Sequence, residues 1–275
     1  MKFRKGDLYK MKRDEEQELF LKLRDEEKEL YKDFFFKAND DFTMWRDGEE
    51  TYSKDESVLG RDWIYIYQDK KAFEVLVYLR NSSNQELKIL DVGSKFYAAL
   101  FFSAIGETRY LEPRIEDIFG GEWPFFRQLN MGFIKGEAQD IPVSDKSFNA
   151  VTCLHAMEHF GLGRYGDTID YYGDQKGLRE FNRVLDDSGH LILSVPVNEN
   201  ARIDFNEQRV YNPDMIDEML DRAGFEVESR FYIVSLGHLR GPEGQVFEPT
   251  SSSREVLRGV KESDHAAYMT LSTKR

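Results

Sequence analysis

From about residue 61 onward, short apolar runs alternate with stretches of helical periodicity, and this alternation most restricts the folds open to the chain. Strands that alternate with helices predict βα units, which assemble into a largely parallel sheet with helices on its faces. The seven predicted strands are 88–92, 109–111, 133–134, 148–154, 190–197, 225–235 and 266–273. The sequence therefore predicts an α/β fold.

Four helices are predicted around these strands from the spacing of apolar residues, and they cover 72–80, 96–104, 176–185 and 213–223. Pro213 stands in the first turn of the last helix and Gly224 follows its end, which are the places that proline and glycine favour. Residues 186–189 are predicted to form the turn before the fifth strand.

The first sixty residues differ from the rest because they are dense in charged and aromatic side chains. Apolar residues within 11–37 recur at helical spacing, and we prefer a helix that packs one stripe on the main domain over a coiled-coil arm of a homodimer. Residues 39–60 are predicted to be a loop. We thus divide the chain into an N-terminal helical extension, 1–60, and a main domain, 61–275, in which 237–264 is a candidate lid.

Composition argues against several classes of partner and site. The net charge of −13 disfavours nucleic acid as a partner, because phosphate binding requires a clustered basic face. Cys153 is the only cysteine, so no intramolecular disulfide or zinc cluster is expected. The N-terminus lacks an apolar signal core and no run of about 18 apolar residues occurs, so we expect a cytoplasmic protein without a membrane span.

The predicted strands end in residues that suit a nucleotide-like ligand. Asp91, Gly93 and Ser94 surround the end of the first strand, where glycine permits close approach of a ligand to the backbone. Glu112 follows the second strand and can accept hydrogen bonds from two ribose hydroxyls. After the third strand, the turn GEAQD at 136–140 can present a backbone amide and a carboxylate to an adenine edge.

Three segments carry a family resemblance: GEAQDIPVSDKSFNAVTCLHAMEH (136–159), RVLDDSGHLILSVPV (183–197) and NPDMIDEMLDRAGFEVE (212–228). They resemble the class I S-adenosylmethionine-dependent methyltransferases, over about residues 70–235. The resemblance implies a Rossmann-like fold whose seven-stranded, mostly parallel sheet has an antiparallel last strand. It also implies S-adenosylmethionine as the cofactor.

By this resemblance, cofactor-binding roles fall to a set of strand-end residues. The set comprises Asp91, Gly93, Ser94, Glu112, Ala138, Gln139, Asp140 and His155. Asp91 and Gly93 would flank the methionine part, Glu112 the ribose, Ala138 and Gln139 the adenine, and His155 the sulfonium. The usual G-x-G-x-G loop is replaced here by Gly93 followed by Ser94 and Lys95, which places a cation near the expected sulfonium.

A narrower resemblance joins DVGS, EPR, HAMEHFGLGRYGD and FNEQRVY to a little-characterised bacterial family that shares the methyltransferase fold. Its members are associated with the synthesis of surface polysaccharides or lipid-linked sugars. The resemblance implies a small-molecule acceptor, such as a nucleotide-linked or lipid-linked sugar.

The segment 155–167 after the fourth strand is rich in polar residues, and its glycines predict an irregular loop at the rim of the site. His159 is the first choice for a general base, with Glu158 or Asp167 orienting it or acting instead. Arg164 and Arg209 are candidates for binding a phosphate or carboxylate of the acceptor, although for Arg209 an ion pair that holds its loop is an equal alternative.

The remaining candidates concern stacking and metal. The ring of Tyr165 is a candidate stacking surface for a sugar. Asp167, Asp170 and Asp174 have oxygen ligands that suit Mg²⁺, but solvated turn carboxylates are the preferred interpretation and no metal site is predicted.

The preferred hypothesis is an enzyme that transfers a methyl group to a hydroxyl of a sugar or another small polar acceptor. The alternative is a non-catalytic binding or scaffold protein that has kept the fold. A nicotinamide-dependent oxidoreductase is disfavoured because G-x-G-x-x-G is missing after the first strand.

Overall fold

The computed structural model describes residues 44–47, 58–83, 86–114, 129–163, 167–205, 208–235 and 265–275. The strands are β1 Met44–Asp47, β2 Lys88–Val92, β3 Glu107–Leu111, β4 Met131–Ile134, β5 Phe148–Leu154, β6 Leu185–Pro196, β7 Arg202–Phe205, β8 Gln208–Val210, β9 Phe225–Ser235 and β10 His265–Lys274. The helices are α1 Val58–Ser82, α2 Phe96–Phe102, α3 Gly173–Val184 and α4 Pro213–Arg222, and a 3₁₀ turn covers Met157–His159.

Seven strands form the main sheet in the order β4-β3-β2-β5-β6-β10-β9. Strands β2 to β6 pair in parallel, whereas β10 runs antiparallel to both of its neighbours. The predicted α/β sheet with an antiparallel last strand is therefore confirmed. The strand order reverses beside β2, and ligands bind at such a point in open α/β sheets.

Alternate residues of β2 enter two cores on opposite faces of the sheet. Ile89 packs in the core under α1 and α2, which includes Leu76 and Phe102. Leu90 faces the other way, into the larger core under α3 and α4. Because successive strand residues point to opposite faces, a strand covered on both sides reads as a continuous apolar run.

The ends of α4 follow the local sequence signals. The Asn212 side chain accepts a hydrogen bond from the Asp214 backbone N–H at 3.0 Å, and Pro213 occupies the first turn. Gly224 lies just past the helix with φ +85°, a left-handed conformation that glycine adopts without a steric cost.

The structure corrects two local predictions. Residues 39–60 are not all loop, because β1 pairs in parallel with β7 in a second, three-stranded sheet completed by β8, and α1 starts at Val58. Residues 186–189, predicted to be a turn, are part of β6 and lie where its pairing register with β5 shifts, and Ser188 there has φ +64°. The predicted helix within 11–37 and the candidate lid, 237–264, lie outside the described residues.

No helix within the described ranges combines the length and apolarity needed to cross a membrane.

Candidate active site

A cleft opens at the carboxyl ends of β2, β3, β4 and β5, where the strand order reverses. The residues that line it are Val92, Gly93, Leu111, Glu112, Pro113, Arg114, Gly136, Glu137, Ala138, Gln139, His155, Ala156, His159, Phe160 and Asp167. Because parallel strands end at one edge of a sheet, residues distant in sequence are brought together here.

Gly93 gives the floor of the cleft an exposed backbone. Its φ is +65°, and a Cβ at this position would lie 3.1 Å from Cβ of Ala156. Glycine is thus favoured both by its conformation and by the close approach of the segment that follows β5. A ligand can reach the main chain at the end of β2.

Glu112, the predicted ribose ligand, lines the cleft and is 5% exposed. Arg114 holds both of its carboxylate oxygens: Nε donates to Oε1 at 2.7 Å and Nη2 donates to Oε2 at 3.0 Å. The backbone N–H of Arg114 also donates to Oε1, at 3.1 Å. Two parallel donors are what a ribose diol would offer, so Arg114 occupies the hydrogen-bonding edge expected for the ligand.

The turn after β4 brings Ala138 and Gln139, the two residues predicted to contact an adenine, to the cleft. Asp140 is not among the lining residues and is exposed to solvent. Its backbone pairs with that of Glu137, and the next residue, Ile141, donates its N–H to Glu180 on α3 at 2.8 Å. The turn is therefore anchored from below by α3.

Asp91 and Ser94 are brought next to the cleft but do not line it. Asp91 is completely buried and accepts a hydrogen bond from Thr152 Oγ1 at 2.6 Å, and its burial raises the pKa of this carboxyl to about 7. Ser94 Oγ accepts from the Leu154 backbone N–H at 3.1 Å, and its carbonyl accepts from Tyr110. Both residues join β2 to its neighbours, so the structure does not place their side chains in contact with a ligand in the cleft.

Lys95 contacts an aromatic ring of α1 and does not line the cleft. Its ammonium lies 3.7 Å from the centroid of the Tyr65 ring on α1, a cation–π contact. Lys95 is not a lining residue, and the Tyr65 ring that it contacts also packs against the imidazole of His155.

The loop after β5 begins with His155, which has φ +51° and lines the cleft. His159 also lines it, and its Nε2 lies 3.7 Å from Oε1 of Glu158. Glu158 itself is buried and does not line the cleft. Glu158 is therefore placed to orient His159 rather than to meet an acceptor.

Asp167 lines the cleft and also holds the loop together. Its Oδ2 accepts from the backbone N–H groups of Gly161 at 2.9 Å and Gly163 at 3.4 Å. Both glycines have positive φ, +74° and +70°, which confirms the irregular loop. Hydrogen bonding to the loop backbone gives this carboxylate a structural role.

Arg209 does not bind an acceptor, which corrects its predicted role as an anion clamp. The guanidinium is 1% exposed, donates to the carbonyls of Phe160 at 2.6 Å and Tyr171 at 3.0 Å, and lies 3.4 Å from Asp174. The alternative of an ion pair that holds the loop is what the structure shows. Arg164 and Tyr165 lie outside the described residues.

The three carboxylates considered for Mg²⁺ are engaged elsewhere. Asp174 is buried against Arg209 and accepts from Tyr211 Oη at 3.0 Å, whereas Asp170 pairs with Lys176 at 2.5 Å. Within the part of the chain that the structure describes, no three His, Cys, Asp or Glu side chains are grouped to hold a metal ion.

The sequence does not predict three side chains at or behind the cleft. Arg114 follows Glu112 in the EPR segment, but its bend back onto the carboxylate depends on the strand end. Tyr65 and Gln68 come from α1, and Gln68 lies 2.7 Å from His155 Nδ1. The two residues are 87 positions apart, so no local pattern indicates the contact.

The chain is similar to one described protein family and to several solved structures. A family described as "Caenorhabditis protein of unknown function, DUF268" matches residues 135–235. A search of curated proteins finds no match. Among solved structures, the [4+2]-cyclase SpnF is similar with a TM-score of 0.51 and 17% identity, over 74% of this chain and 80% of that one.

Two further similar structures are methyltransferases by name. A protein assigned as a sarcosine dimethylglycine methyltransferase from Galdieria sulphuraria has a TM-score of 0.50 and 15% identity, over 76% of this chain and 86% of that one. The 1,6-didemethyltoxoflavin-N1-methyltransferase of Burkholderia thailandensis, with bound S-adenosylhomocysteine, has a TM-score of 0.45 and 14% identity, over 79% and 88%. The chain has the Rossmann-like fold of the class I methyltransferases.

Proposed function

We propose that this protein is an S-adenosylmethionine-dependent methyltransferase. The observation that carries the proposal is the cleft itself, where Gly93, Glu112, Gln139 and His155 line one edge of the sheet in chain order. Together these groups suit an adenosine that carries a charged tail. The Gly93 backbone is open to a ligand, the Glu112 carboxylate can accept from a ribose diol, the turn at Gln139 can face a flat base, and His155 adds an imidazole. Bound there, the cofactor supplies a methyl group on a sulfonium.

The acceptor that we propose is a hydroxyl of a sugar or of another small polar molecule, and surface-polysaccharide synthesis is the proposed context. Support comes from the polar loop around His159 and Asp167 at the rim of the cleft. A hydroxyl loses its proton as it is methylated, so a base must stand at this rim. The proposed membership of a bacterial family of this kind rests on the HAMEHFGLGRYGD segment, which the DUF268 match includes. The cytoplasm is the proposed site of action.

Titration calorimetry with S-adenosylhomocysteine tests the cofactor. We expect a dissociation constant well below millimolar, and Glu112→Ala should weaken it by about 10-fold or more because the two ribose hydroxyls lose their acceptor. Asp140→Ala is the matched control, since this exposed carboxylate does not line the cleft. No binding at millimolar concentration would refute the proposal, and binding of NADH in its place would favour an oxidoreductase.

Methyl transfer itself is tested with isotopically labelled S-adenosylmethionine and a panel of nucleotide-linked sugars. Label in a sugar product is the expected result. Label in none of them would exclude this acceptor class while leaving the cofactor result intact.

The second candidate is a non-catalytic member of the fold, and the contact between Arg114 and Glu112 favours it. A cleft whose diol-binding edge is filled from within can persist without a ligand. This candidate predicts a protein partner that co-purifies with the chain and no heat of S-adenosylhomocysteine binding.

A further inference from the structure

His155 is held from behind by two polar side chains. Its Nδ1 lies 2.7 Å from Oε1 of Gln68 on α1 and 3.2 Å from Oγ of Ser194 on β6. Ser194 Oγ donates to the same Gln68 oxygen at 2.7 Å. Gln68 is 1% exposed and Ser194 fully buried, so this triad lies inside the protein while the imidazole lines the cleft.

The orientation of the Gln68 amide follows from its other neighbour. Gln68 also hydrogen-bonds the carboxylate of Asp69; burial raises the pKa of Asp69 to about 6, so at pH 8 this carboxylate is ionised and only accepts hydrogen bonds. The amide NH₂ group of Gln68 must therefore face Asp69, which leaves Oε1 to face His155. An amide oxygen carries no hydrogen, so Nδ1 of His155 is the donor in the 2.7 Å contact.

A neutral imidazole has one protonated nitrogen, and the hydrogen bond made by that nitrogen selects the tautomer. With the proton of His155 on Nδ1, the lone pair is on Nε2. The Tyr65 ring packs edge-on against the imidazole, with centroids 5.2 Å apart, and limits its rotation. The His155 backbone has φ +51°, an unfavourable conformation for a non-glycine residue, and its N–H donates to the Ser194 carbonyl at 2.9 Å.

We propose that His155 is the general base of the reaction and that Gln68 is the positioning residue that fixes its tautomer. This inference rests on the proposed methyl transfer to a hydroxyl. A bond forms between the acceptor oxygen and the methyl carbon, while the carbon–sulfur bond breaks and leaves its electron pair on sulfur. The acceptor proton passes to Nε2 of His155, which later releases it to water. His159, in the same cleft, then serves the acceptor or the loop rather than the proton.

The tautomer is tested first, because it requires neither cofactor nor acceptor. Nitrogen-15 NMR of the full-length, ligand-free protein at pH 8 should show His155 protonated on Nδ1. Gln68→Met removes the acceptor at similar volume and should leave His155 in a mixture of tautomers. A His155 ring protonated on Nε2 in the wild type would overturn the proposal, because the base would then have no lone pair facing the cleft.

The effects of each variant on cofactor binding and on kcat are then measured separately, with the acceptor found in the labelling panel as substrate. His155→Asn should lower kcat by about 10²–10⁴-fold because the base is lost, and should weaken S-adenosylhomocysteine binding far less, although the imidazole also lines the cofactor cleft. Gln68→Met, behind the cleft, should lower kcat about 10-fold and change the dissociation constant of S-adenosylhomocysteine less than about 3-fold, a split that general destabilisation would not produce. His190→Asn is the matched control, because His190 lies in the amino-terminal half of β6 beside Glu228 and does not line the cleft, and it should leave kcat unchanged.

A larger loss of kcat in His159→Asn than in His155→Asn would overturn the assignment in favour of the other histidine. Absence of S-adenosylhomocysteine binding to the wild type would instead refute the proposed function, and the tautomer measurement would still decide the role of Gln68. The failures of the two proposals are thereby distinguishable.

Discussion

Asp91 is the residue whose environment departs most from what its type prefers. It is completely buried, and Thr152 Oγ1 donates a hydrogen bond to its Oδ2. Burial, with the nearby Asp69 carboxylate, raises the pKa of Asp91 from 3.8 to about 7. The fold therefore carries an acid that it prefers to keep protonated.

Asp91→Asn should stabilise the protein at alkaline pH. The folded-state pKa lies above the unfolded one, so the wild type binds a proton on folding and loses stability as pH rises from about 4 to about 7. The full difference corresponds to about 4 kcal/mol. Chemical denaturation at pH 5 and pH 8 should show the gain of the variant growing with pH, whereas Asp140→Asn should follow the wild type. An equal effect at both pH values would contradict this assignment.

Arg114 is expected to stabilise the folded protein and to weaken the binding of the cofactor. It neutralises the carboxylate of Glu112 in the free protein and competes for the same oxygens with a ribose diol. Arg114→Ala should lower the free energy of unfolding by about 1 kcal/mol, given that the Arg114 side chain is 35% exposed, and tighten S-adenosylhomocysteine binding about 5-fold. Calorimetry and denaturation check the two effects. Weaker binding in the variant would mean that Arg114 contacts the ligand.

At the scale of secondary structure, the buried ion pair between Arg209 and Asp174 connects β8, α3 and the loop after β5. Arg209 on β8 contacts Asp174 at the start of α3 and the carbonyl of Phe160 in the loop after β5. Tyr211 adds a hydrogen bond to Asp174. These contacts set the position of the loop that bears His159.

Arg209→Met should destabilise the protein by about 3–5 kcal/mol, because Asp174 would be left as an uncompensated buried charge. Arg222→Met is the matched control: its pair with Glu218 is 69% and 61% exposed, and its loss should cost about 0.5 kcal/mol or less. Urea denaturation gives both values. Adding Asp174→Asn to Arg209→Met should recover part of the loss, and no recovery would argue against the ion pair as the cause.

The success of the element predictions has a physical basis. Strands β2 and β5 have the predicted bounds because each is a nearly continuous run of buried residues that its own sequence marks. The short strand β1 has no such pattern, and it forms by pairing with β7, more than 150 residues later, so the sequence does not predict it. Turn-forming residues predicted the end of α4 correctly. They did not predict the structure of 186–189, which belong to β6 and lie where its pairing register with β5 shifts.

For the site, residues that directly follow strands could be placed from the sequence. Glu112, Gln139 and His155 lie where strand ends predict them. The direction of a side chain could not be predicted, because Asp91 turns into the core and Arg209 into an ion pair through contacts with distant elements. Partners such as Gln68 depend on the packing of α1, which tertiary structure alone defines.

For the whole molecule, binding and folding are thermodynamically linked. Any ligand that binds only the folded state stabilises it, by about 2.7 kcal/mol at 100 times its dissociation constant. S-adenosylhomocysteine at that excess should raise the melting temperature by about 5 °C. Scanning calorimetry measures the shift. Glu112→Ala should lose most of it at the same ligand concentration, and an unchanged shift would place the ligand away from this cleft.

The placement of β10 between β6 and β9 has a consequence for the order of folding. Within the described sheet, β9 hydrogen-bonds only to β10, although β9 is synthesised first. Strand β9 therefore joins the sheet only through β10, which is synthesised after it. The cleft strands β2, β3 and β5 can pair as soon as they have been synthesised, whereas the opposite edge of the sheet can be completed only when residues 265–274 are available.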